Sequence, residues 1–247
     1  MEINLKENER IDDLEYKGLK IIQNTDGFCF GIDAVLLSDF AKEIKNNSKV
    51  LDLGTGTGIL SILLSGKTNL SKIYGIEIQE EVADMAKRSV KLNDLEDRVE
   101  ILNKNIKELG NIFEKNTFDA IVTNPPYKKI NTGLENEKEK KFISRHEVTA
   151  SLEDFIKVSF DLLKDKASLY MVHRPERLAE IIFNLKKNKL EPKAIRFVYS
   201  NTKGEPKLVL IKAVKNAKEF VKIEKPLFVY DENGNYTDEI LKIYNKI

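Results

Sequence analysis

A short apolar run, residues 118–123, ends in the sequence Asn124-Pro125-Pro126-Tyr127. Because each proline fixes its own φ and restricts the residue before it, the chain after this run is stiff. The Asn124 amide oxygen and the Pro125 carbonyl are two hydrogen-bond acceptors, and Tyr127 supplies an aromatic face beside them. These groups suit an NH2 on a planar ring: its two N–H groups would donate to the two acceptors, and the ring that carries it would stack on Tyr127. Taken alone, the motif is also compatible with a rigid strand-to-loop connection.

A second candidate binding segment lies upstream, at residues 50–60. An apolar strand there runs into the glycine-rich turn formed by residues 54–58, and an apolar helix follows. Glycines let the backbone approach a ligand closely, and the free N–H groups at a helix start point towards it. This turn is therefore predicted to bind a ligand through its backbone.

The next predicted strand, residues 73–77, ends in a carboxylate, Glu77, 19 residues after Gly58. A carboxylate at the end of the second strand of a βαβ unit can accept hydrogen bonds from both ribose hydroxyls of a nucleoside ligand. The dinucleotide pattern requires glycine at position 59, where this chain has Ile59. NAD and FAD are therefore disfavoured, and a βαβ unit that binds no ligand is the alternative.

Together, these segments resemble the Rossmann-like S-adenosylmethionine-dependent methyltransferases that carry an Asn-Pro-Pro-Tyr motif. The resemblance implies that the glycine turn binds the methionine part of the cofactor and that Glu77 holds the ribose. It implies that Asn105, where the family usually has Asp, accepts from the adenine amino group. The implied cofactor contacts are Phe30, Asp33, Asp52, Gly54, Thr55, Gly56, Gly58, Glu77, Ile78, Asn105, Ile106 and Asn124. The implied catalytic residues are Asn124, Pro125, Pro126 and Tyr127, without a metal.

Flanking segments resemble one family within this group, the bacterial tRNA1(Val) adenine-N6 methyltransferases. They are residues 9–14, 21–23, 28–37, 145–147 and 226–231, and the resemblance covers roughly residues 9–244. It implies S-adenosylmethionine-dependent N6-methylation of an adenosine in tRNA, in the anticodon loop of tRNA1(Val). The alternatives are methylation of rRNA or DNA adenine or of a protein glutamine amide, and a cofactor-binding RNA-binding module without catalysis. The 48 residues before Lys49 leave little room for the helical N-terminal domain usual in glutamine methyltransferases.

Length and composition favour a single enzyme domain spanning residues 1–247. Its expected parts are an N-terminal extension packing on the cofactor site (1–48), a Rossmann-like core (49–214) and a C-terminal tail (215–247). No apolar run approaches the ~20 residues of a membrane span, and one cysteine excludes a disulfide framework. The two histidines and the cysteine are scattered, so a metal site is not expected. The expected compartment is the cytoplasm, and a monomer is favoured.

Positive charge is concentrated in the C-terminal third. Residues 164–247 carry 18 lysines and arginines against 11 acidic residues, while the whole chain has a net charge of only +1. A basic region beside an active site would suit phosphate contacts, whereas a lysine-rich face is also commonly just solvated. Both interpretations remain open for Lys186, Lys187, Lys189, Lys193, Arg196, Lys203, Lys207 and Lys212.

The alternation of strand and helix patterns predicts an α/β fold of the Rossmann-like class I methyltransferase type. A mostly parallel seven-stranded sheet with helices on both faces is expected, ending in a C-terminal antiparallel hairpin. Predicted strands are 49–53, 73–77, 99–102, 118–123 and 167–172, with the hairpin at 195–200 and 207–214. Predicted helices are 33–41, 58–65, 80–92, 106–113, 151–163 (with Ser151 as N-cap) and 175–188. The long loop 128–149 is predicted to be functional because it follows the Asn-Pro-Pro-Tyr motif directly.

Overall fold

The computed structural model describes residues 4–25, 31–127 and 150–247. The predictions for Phe30, for the loop 128–149 and for residues 145–147 lie outside these ranges. The strands are β1 (Glu9–Asp13), β2 (Lys20–Asn24), β3 (Lys49–Leu53), β4 (Lys72–Glu77), β5 (Val99–Asn103), β6 (Phe118–Thr123), β7 (Leu163–His173), β8 (Leu190–Tyr199), β9 (Pro206–Lys215), β10 (Lys222–Ile223) and β11 (Leu227–Phe228). The helices are α1 (Ile32–Phe40), α2 (Ile59–Lys67), α3 (Glu80–Leu92), α4 (Leu152–Leu162), α5 (Leu178–Lys187) and α6 (Asp238–Ile243), with 3₁₀ turns at Ile106–Asn111 and Pro175–Arg177.

Within the described residues the main sheet has nine strands in the order β10-β8-β9-β7-β6-β3-β4-β5, with β11 also paired to β8. Strands β3 to β7 are mutually parallel, so their carboxyl ends lie at one edge. Strand β9 is antiparallel to both β7 and β8 and lies between them. This arrangement confirms the predicted mostly parallel sheet, formed by the seven strands β3 to β9, and the antiparallel hairpin. The two-residue strands β10 and β11 extend the sheet beyond the prediction.

Successive side chains of a strand point to opposite faces of the sheet, and this alternation produces two hydrophobic cores, one on each face. Val50, Val122 and Val172 point into the core covered by α1, α2, α3 and α6. Leu51 and Ile121, the neighbours of Val50 and Val122, point into the opposite core, which α4 and α5 cover. Helices therefore cover both faces of the sheet, as predicted.

The helix α4 begins with the predicted N-cap. The Ser151 hydroxyl accepts from the Asp154 N–H, and the Asp154 carboxylate accepts in return from the Ser151 N–H at 2.8 Å. This reciprocal pair satisfies two backbone N–H groups that the first helical turn cannot. It fixes the start of the helix that follows the candidate catalytic loop in sequence.

The structure differs from the predicted elements mainly near prolines and at the termini. The predicted helix 175–188 begins as a separate 3₁₀ turn, and α5 itself starts at Leu178. Strand β8 starts at Leu190 rather than 195, because the sheet accommodates Pro192 at a register shift between Pro192 and Ala194. The hairpin β1–β2 and the helix α6 were not among the predicted elements.

The β1–β2 hairpin is attached to α3, the helix that follows Glu77. The Ile22 N–H donates to the Ser89 hydroxyl at 2.9 Å. The Arg88 guanidinium binds both carboxylate oxygens of Glu9, each at 2.6 Å. Such two-point pairs fix orientation as well as distance. The segment before the Rossmann-like core is thereby held on the same side of the sheet as the β4–α3 connection.

Candidate active site

The candidate site lies at the carboxyl edge of the parallel strands, where ligands bind in open α/β sheets. Leu53, the last residue of β3, is paired with Ile76 of β4 on one side and with Thr123 of β6 on the other. The glycine turn, Glu77 and Asn124 therefore leave the sheet side by side. The Thr123 hydroxyl donates to the Leu53 carbonyl at 2.8 Å and ties the ends of β3 and β6 together.

The glycine turn has a backbone conformation that glycine adopts more readily than other residues. Gly54, Gly56 and Gly58 have φ values of +72°, +58° and +89°. These values are in the left-handed region, which side chains with a Cβ rarely adopt. A Cβ at Gly56 would meet no atom within 4 Å, so the turn borders open space there. Gly58 is the N-cap of α2, and the aromatic ring of Phe155 lies behind Gly54.

Asp52 lies beneath the glycine turn, with only 1% of its surface exposed. Its Oδ2 accepts from the Thr55 hydroxyl at 2.6 Å and from the Ser61 hydroxyl at 2.8 Å. Burial raises the pKa of the Asp52 carboxyl to about 6, although these hydrogen bonds oppose the rise. The contacts of Asp52 in the structure support the turn and the start of α2. A direct contact of Asp52 with a cofactor remains a prediction.

Glu77 is 3% exposed and lies next to the turn. Its Oε2 accepts from the Gly56 N–H at 3.1 Å, and its Oε1 accepts from the Gln79 N–H at 2.9 Å. Burial raises the pKa of Glu77, and the hydrogen bonds from Gln79 and Gly56 counteract that shift. A carboxylate only accepts hydrogen bonds, so hydroxyl groups of a ligand would donate to Glu77. A turn open to space beside such a carboxylate fits a ligand that carries neighbouring hydroxyl groups.

The segment after β5 borders the same edge. Asn103 donates from Nδ2 to the carbonyls of Glu77 and Ile78, both at 2.9 Å. It therefore fixes the backbone that carries the Glu77 carboxylate, a role that sequence reasoning missed. Asn105 caps the following 3₁₀ turn by accepting from the Lys107 N–H at 3.0 Å, and its side chain is half-buried. Ile106 is buried in the core beneath it.

Asn124 and Tyr127, two of the candidate catalytic residues, contact Asp33, which lies at the start of α1. The Asn124 amide donates from Nδ2 to Asp33 Oδ2 at 3.2 Å, and the Tyr127 hydroxyl donates to the same oxygen at 2.6 Å. Pro125 is buried and Pro126 is half-buried. Burial, followed by the charge of Asp33, raises the pKa of Tyr127, so its hydroxyl stays protonated and donates.

Three residues that sequence reasoning did not assign surround Tyr127. His173, at the end of β7, places its ring 5.1 Å from the Tyr127 ring at 53°. The Arg174 guanidinium lies over the Tyr127 ring at 5.1 Å from its centroid, and Arg177 donates to the Tyr127 carbonyl at 3.2 Å. The sequence contained a signal for them, because strand 167–172 was predicted to belong to a mostly parallel sheet. Residues that follow a parallel strand lie at the same edge of the sheet as those that follow the others.

His173 is fully buried, and the structure defines its tautomer. Its Nδ1 accepts from the Arg174 N–H at 2.7 Å, so the proton of the neutral ring is on Nε2. Nε2 has no hydrogen-bond partner among the described residues. Burial lowers the pKa of His173 to about 4, and the Arg177 charge adds to that shift.

We expect the pH dependence of folding stability to report the buried neutral His173. Because its pKa falls from 6.5 to about 4 on folding, its contribution is complete above pH 6.5 and is lost as the pH falls towards 4. The loss amounts to about 3 kcal/mol at most. Urea unfolding of the wild type and of His173→Asn, whose side chain can still accept from Arg174, measures it. The stability difference between the two proteins should shrink from pH 7 to pH 4. If the unfolding free energies of the two proteins changed in parallel with pH, the lowered pKa of His173 would be contradicted.

The described residues form neither a metal site nor a membrane-spanning helix. In residues 4–25, 31–127 and 150–247, no group of three or more His, Cys, Asp or Glu side chains is arranged to hold a metal ion. Over the same ranges, no helix has the length and apolar character needed to cross a membrane.

The fold and the site define a class of protein. A sheet with this strand order, a glycine turn after β3, an acidic end on β4 and Asn-Pro-Pro-Tyr after β6 is the arrangement of a Rossmann-like methyltransferase. The family model of the Methyltransferase small domain matches residues 31–191. The chain therefore belongs to the Methyltransferase small domain family.

Curated relatives match most of the chain at modest identity. One is the tRNA1(Val) (adenine(37)-N6)-methyltransferase of Porphyromonas gingivalis, 26% identical over 94% of this chain and 93% of the relative. Another, of the same name, is from Flavobacterium johnsoniae, 24% identical over 93% of this chain and 96% of the relative. These matches extend beyond the family model into both terminal segments.

Solved structures of low identity share the fold. A predicted O-methyltransferase from Agrobacterium tumefaciens aligns with a TM-score of 0.70 at 20% identity, covering 86% of this chain and 95% of that one. TYW2 of P. horikoshii, solved in complex with MeSAdo, aligns with a TM-score of 0.59 at 18% identity, covering 86% of this chain and 73% of that one.

Proposed function

We propose that this protein transfers a methyl group from S-adenosylmethionine to N6 of an adenosine in tRNA. The proposed acceptor is the anticodon-loop adenosine of tRNA1(Val), the substrate by which the P. gingivalis and F. johnsoniae relatives are named. One observation carries the chemistry. Asn124 leaves β6 beside the glycine turn, because Thr123 and Leu53 are paired in neighbouring strands. A planar amine held by Asn124 would therefore meet the methyl donor held by the turn.

The residues that would hold the cofactor are those that fit a nucleoside with a flexible charged tail. The glycine turn offers backbone with open space at Gly56. Glu77 would accept from the ribose hydroxyls, and Asn105 and Ile106 would flank the base. S-adenosylmethionine supplies an electrophilic methyl group on a sulfonium sulfur.

The chain's own residues would prepare the acceptor. The exocyclic nitrogen of adenine is a poor nucleophile because its lone pair is delocalised into the ring. Asn124 Oδ1 and the Pro125 carbonyl would accept its two N–H bonds, which favours a pyramidal nitrogen with a localised lone pair. Nitrogen would gain positive charge as the new N–C bond forms and the methyl–sulfur bond breaks, with sulfur leaving as a neutral thioether, and the same two oxygens would stabilise that charge. The nitrogen then releases one proton to solvent.

The alternative methyltransferases named above share this chemistry and differ in the acceptor, whereas the RNA-binding module would lack it. A methyl-transfer assay with radiolabelled S-adenosylmethionine on total RNA, total DNA and protein extract separates them. The proposal requires label in tRNA that digests to N6-methyladenosine. Label in protein would support the glutamine-amide alternative. Cofactor binding without transfer to any of the three would support an RNA-binding module.

Two sets of basic residues from the C-terminal third lie in different parts of the structure. Lys186 and Lys187 lie at the end of α5, which runs back from the site to the start of β8 at the opposite edge of the sheet. Lys186 pairs with Glu191 at 2.7 Å, and Lys187 pairs with Glu153 at 2.6 Å. Both lysines are thus paired with carboxylates, which supports the alternative that their face of the molecule is simply solvated.

A different basic group lies at the carboxyl edge. Val209 of β9 pairs with His173, so the turn between β8 and β9 extends past the end of β7. Lys203 and Lys207 are exposed there, and Arg174 donates to the Lys207 carbonyl at 3.2 Å. None of these three cations has an ion-pair partner in the described part of the chain. We propose that Arg174, Lys203 and Lys207 contact tRNA phosphates beside the acceptor nucleotide.

Neutralising this group should weaken tRNA binding selectively. Lys203→Gln with Lys207→Gln should raise the KM for tRNA by roughly 3- to 10-fold and reduce the slope of log affinity against log salt by about 1–2. The matched control is Lys186→Gln with Lys187→Gln, which removes the same charge at the other edge. The affinity for S-adenosylmethionine should be unchanged in both proteins. A larger effect of the control pair would refute the assignment.

We also propose that residues 1–247 form one domain. The N-terminal hairpin is bound to α3, and Lys246 near the C-terminus pairs with Glu15 at 2.6 Å. Ile240 and Ile243 of α6 are buried in the same core as α1 and α2. Limited proteolysis that yields no stable fragment would support the single domain.

The proposed location is the cytoplasm, because the proposed substrate is a tRNA.

A further inference from the structure

We propose that Asp33 is a positioning residue that orients the amide of Asn124 and the hydroxyl of Tyr127 for amine capture. The inference rests on the proposed function, because it concerns how the acceptor amine is held. Sequence resemblance assigned Asp33 to the cofactor. In the structure its carboxylate instead faces the candidate catalytic loop, which lies 91 and 94 positions further along the chain.

The carboxylate determines which way the Asn124 amide faces. A carboxylate oxygen only accepts hydrogen bonds, so the Asn124 atom at 3.2 Å from Asp33 Oδ2 must be the NH2 nitrogen. The reversed amide would place two acceptor oxygens against each other, at a cost that a partly buried site does not screen. Asn124 Oδ1 must therefore face away from Asp33. That oxygen is the acceptor that the proposed chemistry requires.

Tyr127 is fixed by the same carboxylate oxygen. Its hydroxyl donates to Asp33 Oδ2 at 2.6 Å, and its backbone carbonyl accepts from Arg177 at 3.2 Å. A side chain anchored at its tip and at its backbone has little freedom to turn. Asp33 therefore couples the two ends of the Asn-Pro-Pro-Tyr motif, and the intervening prolines make that coupling rigid.

Asp33 is itself tightly held. It is 7% exposed, and its Oδ1 accepts from the Ala34 N–H at 3.1 Å in the first turn of α1. A Cβ at Gly31 would lie 2.8 Å from Oδ1, closer than real Cβ contacts allow. The φ of Gly31 is −103°, so glycine is needed there for space and not for backbone conformation. The start of α1 thus leaves room for one carboxylate orientation.

The decisive variant is Asp33→Asn, whose side chain has the same shape but can donate hydrogen bonds as well as accept them. Its amide can present NH2 to Asn124, so the Asn124 amide can rotate and lose its orientation. We expect kcat for methyl transfer to fall by about 10- to 100-fold, with the dissociation constant for S-adenosylmethionine unchanged within about twofold. A residue that contacted the cofactor would weaken cofactor binding instead. Native kcat in a folded Asp33→Asn protein would overturn the proposal.

A double-mutant cycle separates positioning from a general structural role. In an Asn124→Ala background there is no amide to orient, so adding Asp33→Asn should lower kcat by less than about threefold. Full additivity of the two losses would overturn the proposal. Gly31→Ala should displace the carboxylate and also lower kcat. Gly110→Ala, where a Cβ would meet nothing within 4 Å, is the matched control and should retain native activity.

A measurement that does not depend on turnover tests the role of Asp33 separately from the choice of tRNA as the substrate. The side-chain NH2 resonances of Asn124 can be assigned by NMR as the pair that Asn124→Ala removes. Asp33→Asn should shift this pair, because a charged acceptor is lost. If the wild type labels protein instead of tRNA, the proposed substrate fails, whereas the shift and the kcat loss still test Asp33. An unshifted resonance would overturn the role of Asp33 whatever the substrate.

Discussion

Replacing Asn124 with alanine should reduce kcat for methyl transfer by about 10²- to 10³-fold and leave the dissociation constant for S-adenosylmethionine nearly unchanged. The magnitude is that found when one preorganised group facing developing charge is removed from an active site. Asn124 stands at the end of β6, and its amide oxygen is turned away from Asp33. Its loss therefore removes an interaction that strengthens as nitrogen becomes positive, and such losses lower kcat more than they alter ground-state binding.

Single-turnover kinetics with saturating tRNA measures this effect without interference from product release. Isothermal calorimetry with S-adenosylmethionine supplies the binding control. Asn188→Ala, which removes an amide at the far end of α5, is the matched variant and should have native turnover. Near-native turnover of Asn124→Ala would reduce the Asn-Pro-Pro-Tyr motif to a rigid connection between a strand and a loop.

The parts of the fold that are encoded locally were predictable. Ser151 and Asp154 are three residues apart and form the capping box that their types favour. The central strands are apolar on both faces, so their runs appear directly in the sequence, and the glycine turn follows one of them. Short-range patterns of this kind depend on the nearest neighbours along the chain, which the sequence contains in full.

The contacts that assemble the site could not be predicted in the same way. Asp33 reaches Asn124 across 91 positions, and nothing local to either residue indicates that contact. The contact of Asp33 with the Asn-Pro-Pro-Tyr motif was missed for this reason. Strand order does carry such information once a parallel sheet is assumed. It would have placed His173 and Arg174 beside the motif and Lys186 away from it.

Replacing Glu77 with alanine should weaken the binding of S-adenosylmethionine by at least about tenfold. The carboxylate is buried at the end of β4 beside the glycine turn, and it accepts from the backbone N–H groups of Gly56 and Gln79. Two charge-assisted hydrogen bonds to ribose hydroxyls are worth about 1.5–3 kcal/mol each. The tenfold figure is a lower estimate, because water that replaces the lost carboxylate recovers part of that energy.

Glu77 also supports the glycine turn, so the variants must separate ligand binding from turn structure. Glu77→Gln keeps one acceptor oxygen but turns an NH2 towards a backbone N–H, of Gly56 or of Gln79. We expect it to bind S-adenosylmethionine more weakly than the wild type and more tightly than Glu77→Ala. Glu100→Ala, on the exposed surface of β5 and paired with Lys72, is the control and should bind normally. If calorimetry gives an unchanged affinity of a folded Glu77→Ala protein for S-adenosylmethionine, the assignment of the ribose to Glu77 is wrong.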